Sequence, residues 1–140
     1  MNGDEFNDWL EEQKGRIRVI CERHRRRAGN IFFRSGDQDQ QTVPTGPYNL
    51  VPNGLDERRV NVFLWVQGDA QHRVCAHRGI FAFSDAVIAR LPLRDHFENG
   101  TPYLHNGVRF RSMWLPDLMA FEEGRHCFAS IEDFDRGFPW

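Results

Sequence analysis

The sequence predicts a single α+β domain, in which a long N-terminal amphipathic helix packs on an antiparallel sheet of about 4–6 strands with two or three short helices. Three observations support this fold class. Apolar residues at helical spacing fill the N-terminal segment, β-branched and aromatic runs with short turn signals fill the middle, and helix-capping residues recur towards the C-terminus. The 140 residues show no domain linker and no internal repeat, so the predicted domain spans residues 1–140.

The first helix is predicted over residues 4–28. Its apolar residues follow the i, i+3, i+4, i+7 rule and form one stripe, which a helix buries against a core. Gly29 follows as a natural C′ residue, the position at which a left-handed backbone ends a helix. The residues of the apolar stripe are Phe6, Trp9, Leu10, Ile17, Ile20, Cys21 and Ala28.

The strands of the first half are predicted from short β-branched and aromatic runs bounded by turn residues. A short strand at 31–35 precedes a long polar loop at 36–58, which contains three prolines and three glycines. The next strand, at 59–67, is β-branched and aromatic and is apolar on both faces at its centre. A Gly-Asp turn then leads into a strand at 71–77, so these two strands are predicted to form a hairpin.

The second half has one strong hairpin signal, a last strand at 126–130 and three short helices. The pair Asn106-Gly107 supplies both positive-φ positions of a type I′ turn between two strand-like runs. The helices are recognised by capping residues at their starts and by proline or glycine at their ends. Their bounds are Ser84 to Pro92, Pro116 to Gly124 and Ser130 to Gly137.

Composition argues against several classes of protein. No run of about 18 apolar residues is present, so no membrane span and no membrane contact are predicted. The N-terminus lacks the positive start and apolar run of a secretory signal, and three widely spaced cysteines do not form a disulfide framework. We therefore expect a cytoplasmic protein. All but one of the 18 basic residues are arginine, a bias typical of GC-rich bacterial or phage genomes.

Charge is distributed unevenly although the net charge is only −2. Residues 1–13 carry five acids and no bases, and residues 14–34 carry eight bases against one acid. Residues 117–140 carry six acids against two arginines. Opposite charges near the two ends predict either internal pairing or a surface for a charged partner.

The arginine-rich end of the predicted helix has three interpretations, all centred on Arg23, Arg25, Arg26 and Arg27. A dense basic cluster suits contact with nucleic-acid phosphates. The cluster also fits an ordinary solvated helix face, because acids in the first turns and bases in the last turns match the helix macrodipole. A contact for an acidic protein partner is the third interpretation. The solvated face is favoured, because no helix-turn-helix context precedes the cluster.

Cysteine and histidine residues form two pairs that are weak candidates for zinc ligands. Cys21 and His24 share one face of the predicted helix, and Cys75 and His77 share one face of a predicted strand. Their spacing matches no zinc signature, and the first pair lies in the apolar stripe, where a buried thiol and a satisfied histidine are the usual finding. We therefore predict no metal and no other cofactor.

Catalytic motifs are absent from the sequence: it contains no nucleophile elbow, P-loop, dinucleotide fingerprint or deaminase signature. The one candidate for acid–base catalysis is a pairing of Asp95-His96 with His105. No residue is assigned a catalytic role, and a small hydrolase or zinc-binding domain is the least favoured alternative.

The favoured function is that of a non-enzymatic binding protein, an adaptor or inhibitor that acts on another protein. Tyr48, Phe138 and Trp140 join the four arginines as predicted partner-binding residues, because aromatic and arginine side chains anchor most interfaces. The two C-terminal aromatics either pack back onto the fold or are presented to another chain. A second copy of the chain is an admissible partner, and nucleic acid bound by the arginine-rich end is the alternative.

Overall fold

The computed structural model describes residues 3–35, 42–46, 54–67 and 76–140, and it confirms the α+β fold class. Helices α1 and α4 cover one face of a four-stranded sheet, and a three-stranded sheet with α2 and α3 covers the other face. The helices are α1 (Gly3–Arg23), α2 (Asp85–Ile88), α3 (Leu115–Ala120) and α4 (Ile131–Arg136). The strands are β1 (Arg27–Ser35), β2 (Thr42–Gly46), β3 (Arg59–Gln67), β4 (Ala76–Ser84), β5 (Leu93–Asp95), β6 (Phe97–Glu98), β7 (Thr101–Pro102), β8 (Leu104–His105), β9 (Val108–Arg109), β10 (Arg111–Trp114) and β11 (His126–Phe128).

The main sheet has the strand order β1-β3-β4-β11 and is mixed rather than wholly antiparallel. Strand β1 runs parallel to β3, whereas β3 pairs antiparallel with β4 and β4 with β11. Parallel pairing needs a crossover of a dozen or so residues, and the segment 36–58 supplies that length. Strand β2 lies inside this segment and pairs with β10, so the prediction of an irregular loop throughout 36–58 is wrong there.

Helix α1 ends five residues earlier than predicted. Arg25, rather than Gly29, takes the left-handed conformation that ends it, with φ 59°. The Arg26 amide donates to the Cys21 carbonyl at 2.7 Å and the Arg25 amide donates to the Glu22 carbonyl at 2.9 Å, the two bonds of a Schellman motif. The chain then enters β1 directly, so three of the arginines assigned to the helix lie in a turn and a strand.

Two hydrophobic clusters lie on opposite faces of the main sheet. Alternate side chains of β3 enter them, because successive residues of a strand point to opposite faces. Val60, Val62 and Leu64 pack with α1 and α4, and Phe63 packs with the second sheet. Burial on both sides explains why the centre of β3 is apolar in an unbroken run.

A buried polar network joins β1, β3 and the start of α2 at one end of the main sheet. Asp85 is only 2% exposed, and it forms an ion pair with Arg59 at 3.2 Å. It also accepts hydrogen bonds from the Asn61 side chain and the Asp56 backbone amide, each at 2.9 Å. The Asn61 side-chain oxygen in turn accepts from the Asn30 amide of β1 at 3.2 Å. Each charged or polar group in this dry region therefore has a partner, as burial requires.

The predicted caps at Ser84 and Ser130 are confirmed, but α2 ends at Ile88 and α3 at Ala120, short of the predicted ends at Pro92 and Gly124. The Ser84 hydroxyl accepts from the Val87 amide at the start of α2, and the Ser130 hydroxyl accepts from the Asp133 amide at 3.1 Å at the start of α4. The hairpin of β3 and β4 is present, and β4 continues to Ser84, beyond the predicted strand. The predicted Gly-Asp turn and most of the predicted strand at 71–77 lie outside the described residues.

Substitutions of Gly29 and Gly15 by alanine should change the free energy of unfolding in opposite directions. We expect Gly29→Ala to lower the free energy of unfolding by about 1–3 kcal/mol, because the added Cβ would lie 2.5 Å from the Arg59 side chain and 2.7 Å from the Asn61 oxygen. Gly15→Ala is the matched control within α1, where nothing lies within 4 Å of the added methyl group. It should raise stability by about 0.5–1 kcal/mol. Urea unfolding midpoints measure both; an unchanged midpoint for Gly29→Ala would contradict the packing described here.

Candidate functional site

Three two-stranded arms meet at a closed ring of backbone hydrogen bonds formed by His96, Tyr103 and Phe110, each of which lies between two strands. The His96 amide donates to the Phe110 carbonyl at 2.8 Å, the Tyr103 amide donates to His96 at 2.8 Å, and the Phe110 amide donates to Tyr103 at 3.0 Å. The ring closes a three-way junction. One arm is the β5–β10 ribbon, which joins the body, and the other two arms are hairpins that leave the body.

The rings of the same three residues pack together at the junction. The centroid of Phe110 lies 5.3 Å from that of Tyr103 and 5.7 Å from that of His96, distances at which aromatic pairs add to stability. The three residues are spaced by seven, and an Asn-Gly pair lies three residues after each of the first two. This short internal repeat was missed in the sequence, where only the second Asn-Gly pair was recognised.

The two hairpins, which we call the paired hairpins (residues 97–109), have the same turn. Asn99 and Gly100 have φ 52° and 79°, and Asn106 and Gly107 have φ 51° and 79°. Positive φ at both central residues is the type I′ geometry, which matches the twist of the flanking strands. The turn predicted at Asn106-Gly107 is therefore confirmed, and a second turn of the same kind joins β6 to β7.

Exposed apolar side chains are concentrated on the paired hairpins. Phe97 is 57% exposed, Leu104 55% and Val108 50%, and only three other large hydrophobic residues of the described chain are classed as exposed. Phe97 and Leu104 occupy equivalent positions in the seven-residue repeat. They therefore lie on the same face of neighbouring arms, while Val108 pairs with His105 on the other face.

Charged groups surround the base of the paired hairpins. Asp95 lies between Arg109 and Arg111, at 3.4 Å and 3.6 Å. A cavity of about 220 Å³ opens beside it, with Phe97 and the Trp114 indole in its lining. The Arg94 guanidinium covers the Trp114 ring at 4.2 Å and pairs with Asp117 at 2.9 Å. The lining residues are Arg94, Asp95, His96, Phe97, Ser112 and Trp114.

The candidate acid–base pair is not assembled. Asp95 contacts two arginines, whereas His96 lies 3.5 Å from Glu98 on the opposite side of the ribbon. His105 is exposed near the tip of a hairpin. Within the described part of the chain no hydrogen bond joins Asp95 to either histidine, so this arrangement gives the hydrolase alternative no geometric support.

Of the four arginines predicted to bind a partner, two form ion pairs with carboxylates and two do not. Arg23 forms an ion pair with Asp135 at 2.7 Å, and Arg27 forms one with Asp56. Arg25 and Arg26 have no acidic partner among the residues that the structure describes, and the Arg26 side chain instead donates to the Arg25 carbonyl at 3.3 Å. The cluster is thus neither one helix face nor one uniform basic surface.

Internal pairing between the two ends of the chain accounts for much of the uneven charge. Arg16 of α1 pairs with Glu132 of α4 at 2.8 Å, and Asp135 of α4 accepts from both Arg23 and His24. The hydrogen bond with His24 is the main reason that the pKa of Asp135 lies below its ordinary value. The hydrogen bond from Arg16 lowers the pKa of Glu132 in the same way.

The two C-terminal aromatics pack back onto the fold. Phe138 stacks on the His24 ring with a centroid distance of 4.1 Å and an interplanar angle of 6°. Trp140 contacts His126 edge-on at 5.1 Å, and both aromatics lie against the core beneath α1 and α4. Each stays half-buried, so their assignment as partner-binding residues stays a prediction. Tyr48 lies outside the described residues.

The zinc candidates do not come together in the part of the chain that can be assessed. Cys21 is buried, and burial raises the pKa of its thiol to about 11, which disfavours the thiolate that binds metals. His24 bonds Asp135, and His77 lies 2.9 Å from the Gln13 side-chain oxygen with a pKa lowered by burial. No group of three or more potential ligands occurs among the described residues, and Cys75 lies outside them.

Comparison with known proteins adds no information about function. No protein-family model, no curated protein and no solved structure matches this chain. No helix in the described ranges is long and apolar enough to cross a membrane.

Acid should weaken the contact between α1 and α4. The pKa values of Asp135 and Glu132 are depressed in the folded state, so the stability they contribute is present above about pH 4.5 and is lost as the pH falls through the folded-state pKa values. We expect the Tm of the wild type to fall more steeply between pH 6 and pH 3 than that of Asp135→Asn/Glu132→Gln. The control Asp8→Asn/Glu122→Gln removes two exposed carboxylates elsewhere and should retain the wild-type slope. Equal slopes for all three proteins would contradict this prediction.

The left-handed backbone of Arg25 should cost stability. Replacing it with glycine removes the steric strain at φ 59° but gives the unfolded chain more freedom, so we expect Arg25→Gly to raise stability by about 0.5–1 kcal/mol. The same change at Arg18, within α1, should instead lower stability by about 1 kcal/mol. Thermal unfolding, monitored by circular dichroism, measures the stability of both variants. A loss of stability in Arg25→Gly would mean that the Arg25 side chain stabilises the turn.

Proposed function

We propose that this protein is a non-enzymatic adaptor or inhibitor that binds another protein through the paired hairpins. The observation that carries the proposal is the exposed apolar surface that Phe97 and Leu104 form on one face of the hairpins, with Val108 exposed on the other face. Scattered surface hydrophobics are ordinary, but an apolar cluster on a projecting element is typical of an interaction site.

The paired hairpins also suit binding because their conformation is set before a partner arrives. The hydrogen-bonded ring at His96, Tyr103 and Phe110 fixes where the arms leave the body, and the two type I′ turns fix their shape. A preorganised surface loses little conformational entropy on association. Burying an exposed Phe97 or Leu104 then contributes on the order of 1–3 kcal/mol for each side chain.

The surroundings of the apolar cluster resemble the polar rim of an interface. Asp95, Arg109 and Arg111 lie at its base on the face that carries Phe97 and Leu104. Rim charges contribute more to orientation and association rate than to affinity. We therefore assign the affinity to the apolar side chains and the orientation to these charges.

Substitution of the apolar cluster should abolish association without affecting the fold. We expect Phe97→Ser/Leu104→Ser to leave Tm within about 2 °C of the wild type, because both side chains are already exposed. In quantitative pull-downs from cells of the source organism, proteins retained by the wild type should be depleted at least tenfold with this variant.

The matched control is Val19→Ser/Leu55→Ser, which removes two equally exposed hydrophobics, at 54% and 65%, away from the hairpins. It should retain the same partners as the wild type. Equal loss in both variants, or no loss in either, would refute the paired hairpins as the binding surface. Analytical ultracentrifugation of the same proteins tests a second copy of the chain as the partner.

A further inference from the structure

A second surface, remote in sequence from the paired hairpins, lies where α1 turns into β1. The Arg27 amide donates to the Arg58 carbonyl at 2.8 Å, which brings residues 54–59 against the turn. This backbone contact places Arg58 beside the segment that carries Arg25 and Arg26, which precede Arg27 in the chain. We call Arg25, Arg26 and Arg58 the arginine turn.

The arginine turn is set apart from its neighbours by its lack of acidic partners. Asp56 is fully engaged, since one carboxylate oxygen pairs with Arg27 and the other accepts from the Arg58 amide at 2.9 Å. Asp85 is likewise engaged, by Arg59 and Asn61. Within the described residues the side chains of the arginine turn have no carboxylate partner, so their charge is available to a ligand.

The backbone at Arg25 provides a second, independent observation. A left-handed residue at a helix C′ position is usually glycine, because a side chain there is strained. This chain has arginine at the position instead, with an exposed side chain. Strain of this kind clusters at sites where the side chain has a role, and here the strained residue lies within the group of unpaired arginines.

The lack of aromatic residues in the segments around the arginine turn favours nucleic acid over an acidic protein as its anionic ligand. The segments that form this surface, residues 22–29 and 54–59, contain no Phe, Tyr or Trp, and the Phe138 ring that packs against them is engaged in its stack on His24. Protein interfaces combine arginine with aromatic anchors, whereas phosphate contacts need only guanidinium groups, whose paired donors match phosphate oxygens. We propose that the arginine turn binds the phosphate backbone of nucleic acid, without reading its sequence.

The contact is expected to be weak and sensitive to salt. Glu22 and Glu57 are exposed beside the arginine turn and reduce its positive potential. Each phosphate that an arginine neutralises on duplex DNA contributes about 0.9 to the slope of log K against log salt concentration. Three such contacts give a slope of about −2 to −3. This surface does not depend on the paired hairpins, so the two proposals fail or succeed separately.

The test is fluorescence anisotropy of a labelled random-sequence DNA duplex at several salt concentrations, with the full chain. We expect wild-type binding at low salt with the slope given above, and a loss of at least tenfold in affinity, with a slope near zero, for Arg25→Gln/Arg26→Gln/Arg58→Gln. The control Arg78→Gln/Arg90→Gln/Arg136→Gln makes the same change in net charge through exposed arginines outside both proposed surfaces and should bind like the wild type.

Three results would overturn the proposal. One is the absence of wild-type binding at low salt, and another is an equal loss of affinity in the two triple variants, which would indicate a diffuse charge effect. The third comes from competition with polyglutamate: if it displaces the duplex as well as an unlabelled duplex does at equal charge, the surface binds acidic protein and not nucleic acid. Circular dichroism of each variant confirms that the fold is retained.

Discussion

The buried carboxylate of Asp85 is the interaction on which the organisation of this molecule depends. It is almost fully excluded from water, and its ion pair with Arg59 and its hydrogen bonds from Asn61 and the Asp56 backbone offset that cost. Because these partners come from different segments, the carboxylate ties β3, α2 and the 54–59 turn to one another, and Asn61 extends the network to β1. The network therefore stabilises the end of the sheet at which β1 pairs with β3, and it holds the 54–59 segment beside the arginine turn.

The buried core and the exposed apolar side chains of the paired hairpins lie in different parts of the molecule. The two hydrophobic clusters lie on the two faces of the main sheet, whereas among the described residues the paired hairpins join the second sheet through the β5–β10 ribbon and the ring of three hydrogen bonds. Salt bridges between α1 and α4 hold the chain ends together at the surface, where screening keeps their contribution small. Exposed apolar residues on the hairpins therefore have little effect on the fold and are available to a partner.

Local signals predicted the elements that local chemistry determines. The caps at Ser84 and Ser130 and the turn at Asn106-Gly107 follow from hydrogen bonding or backbone preference within a few residues, and each is confirmed. The predicted end of α1 was wrong because glycine is the residue usually found at the C′ position, and Gly29 was chosen over Arg25. The structure tolerates the strained backbone at Arg25, and the chain then enters β1, which pairs with β3. The parallel strand and the Asp85 network depend on contacts distant in sequence. The hairpin surface was missed because its repeat of seven residues is too short to resemble a known repeat architecture.

The closed ring at His96, Tyr103 and Phe110 also has a consequence for how this chain can change. Each hairpin begins and ends at the ring, so its length is independent of the register of the sheet behind it. Adding one residue to each strand of an arm moves the tip outward and transfers the side chains beyond the insertion to the opposite face. Adding two residues returns them to the original face, because side chains alternate along a strand with a period of two. The arms can thus be extended, shortened or exchanged while the core sequence stays constant.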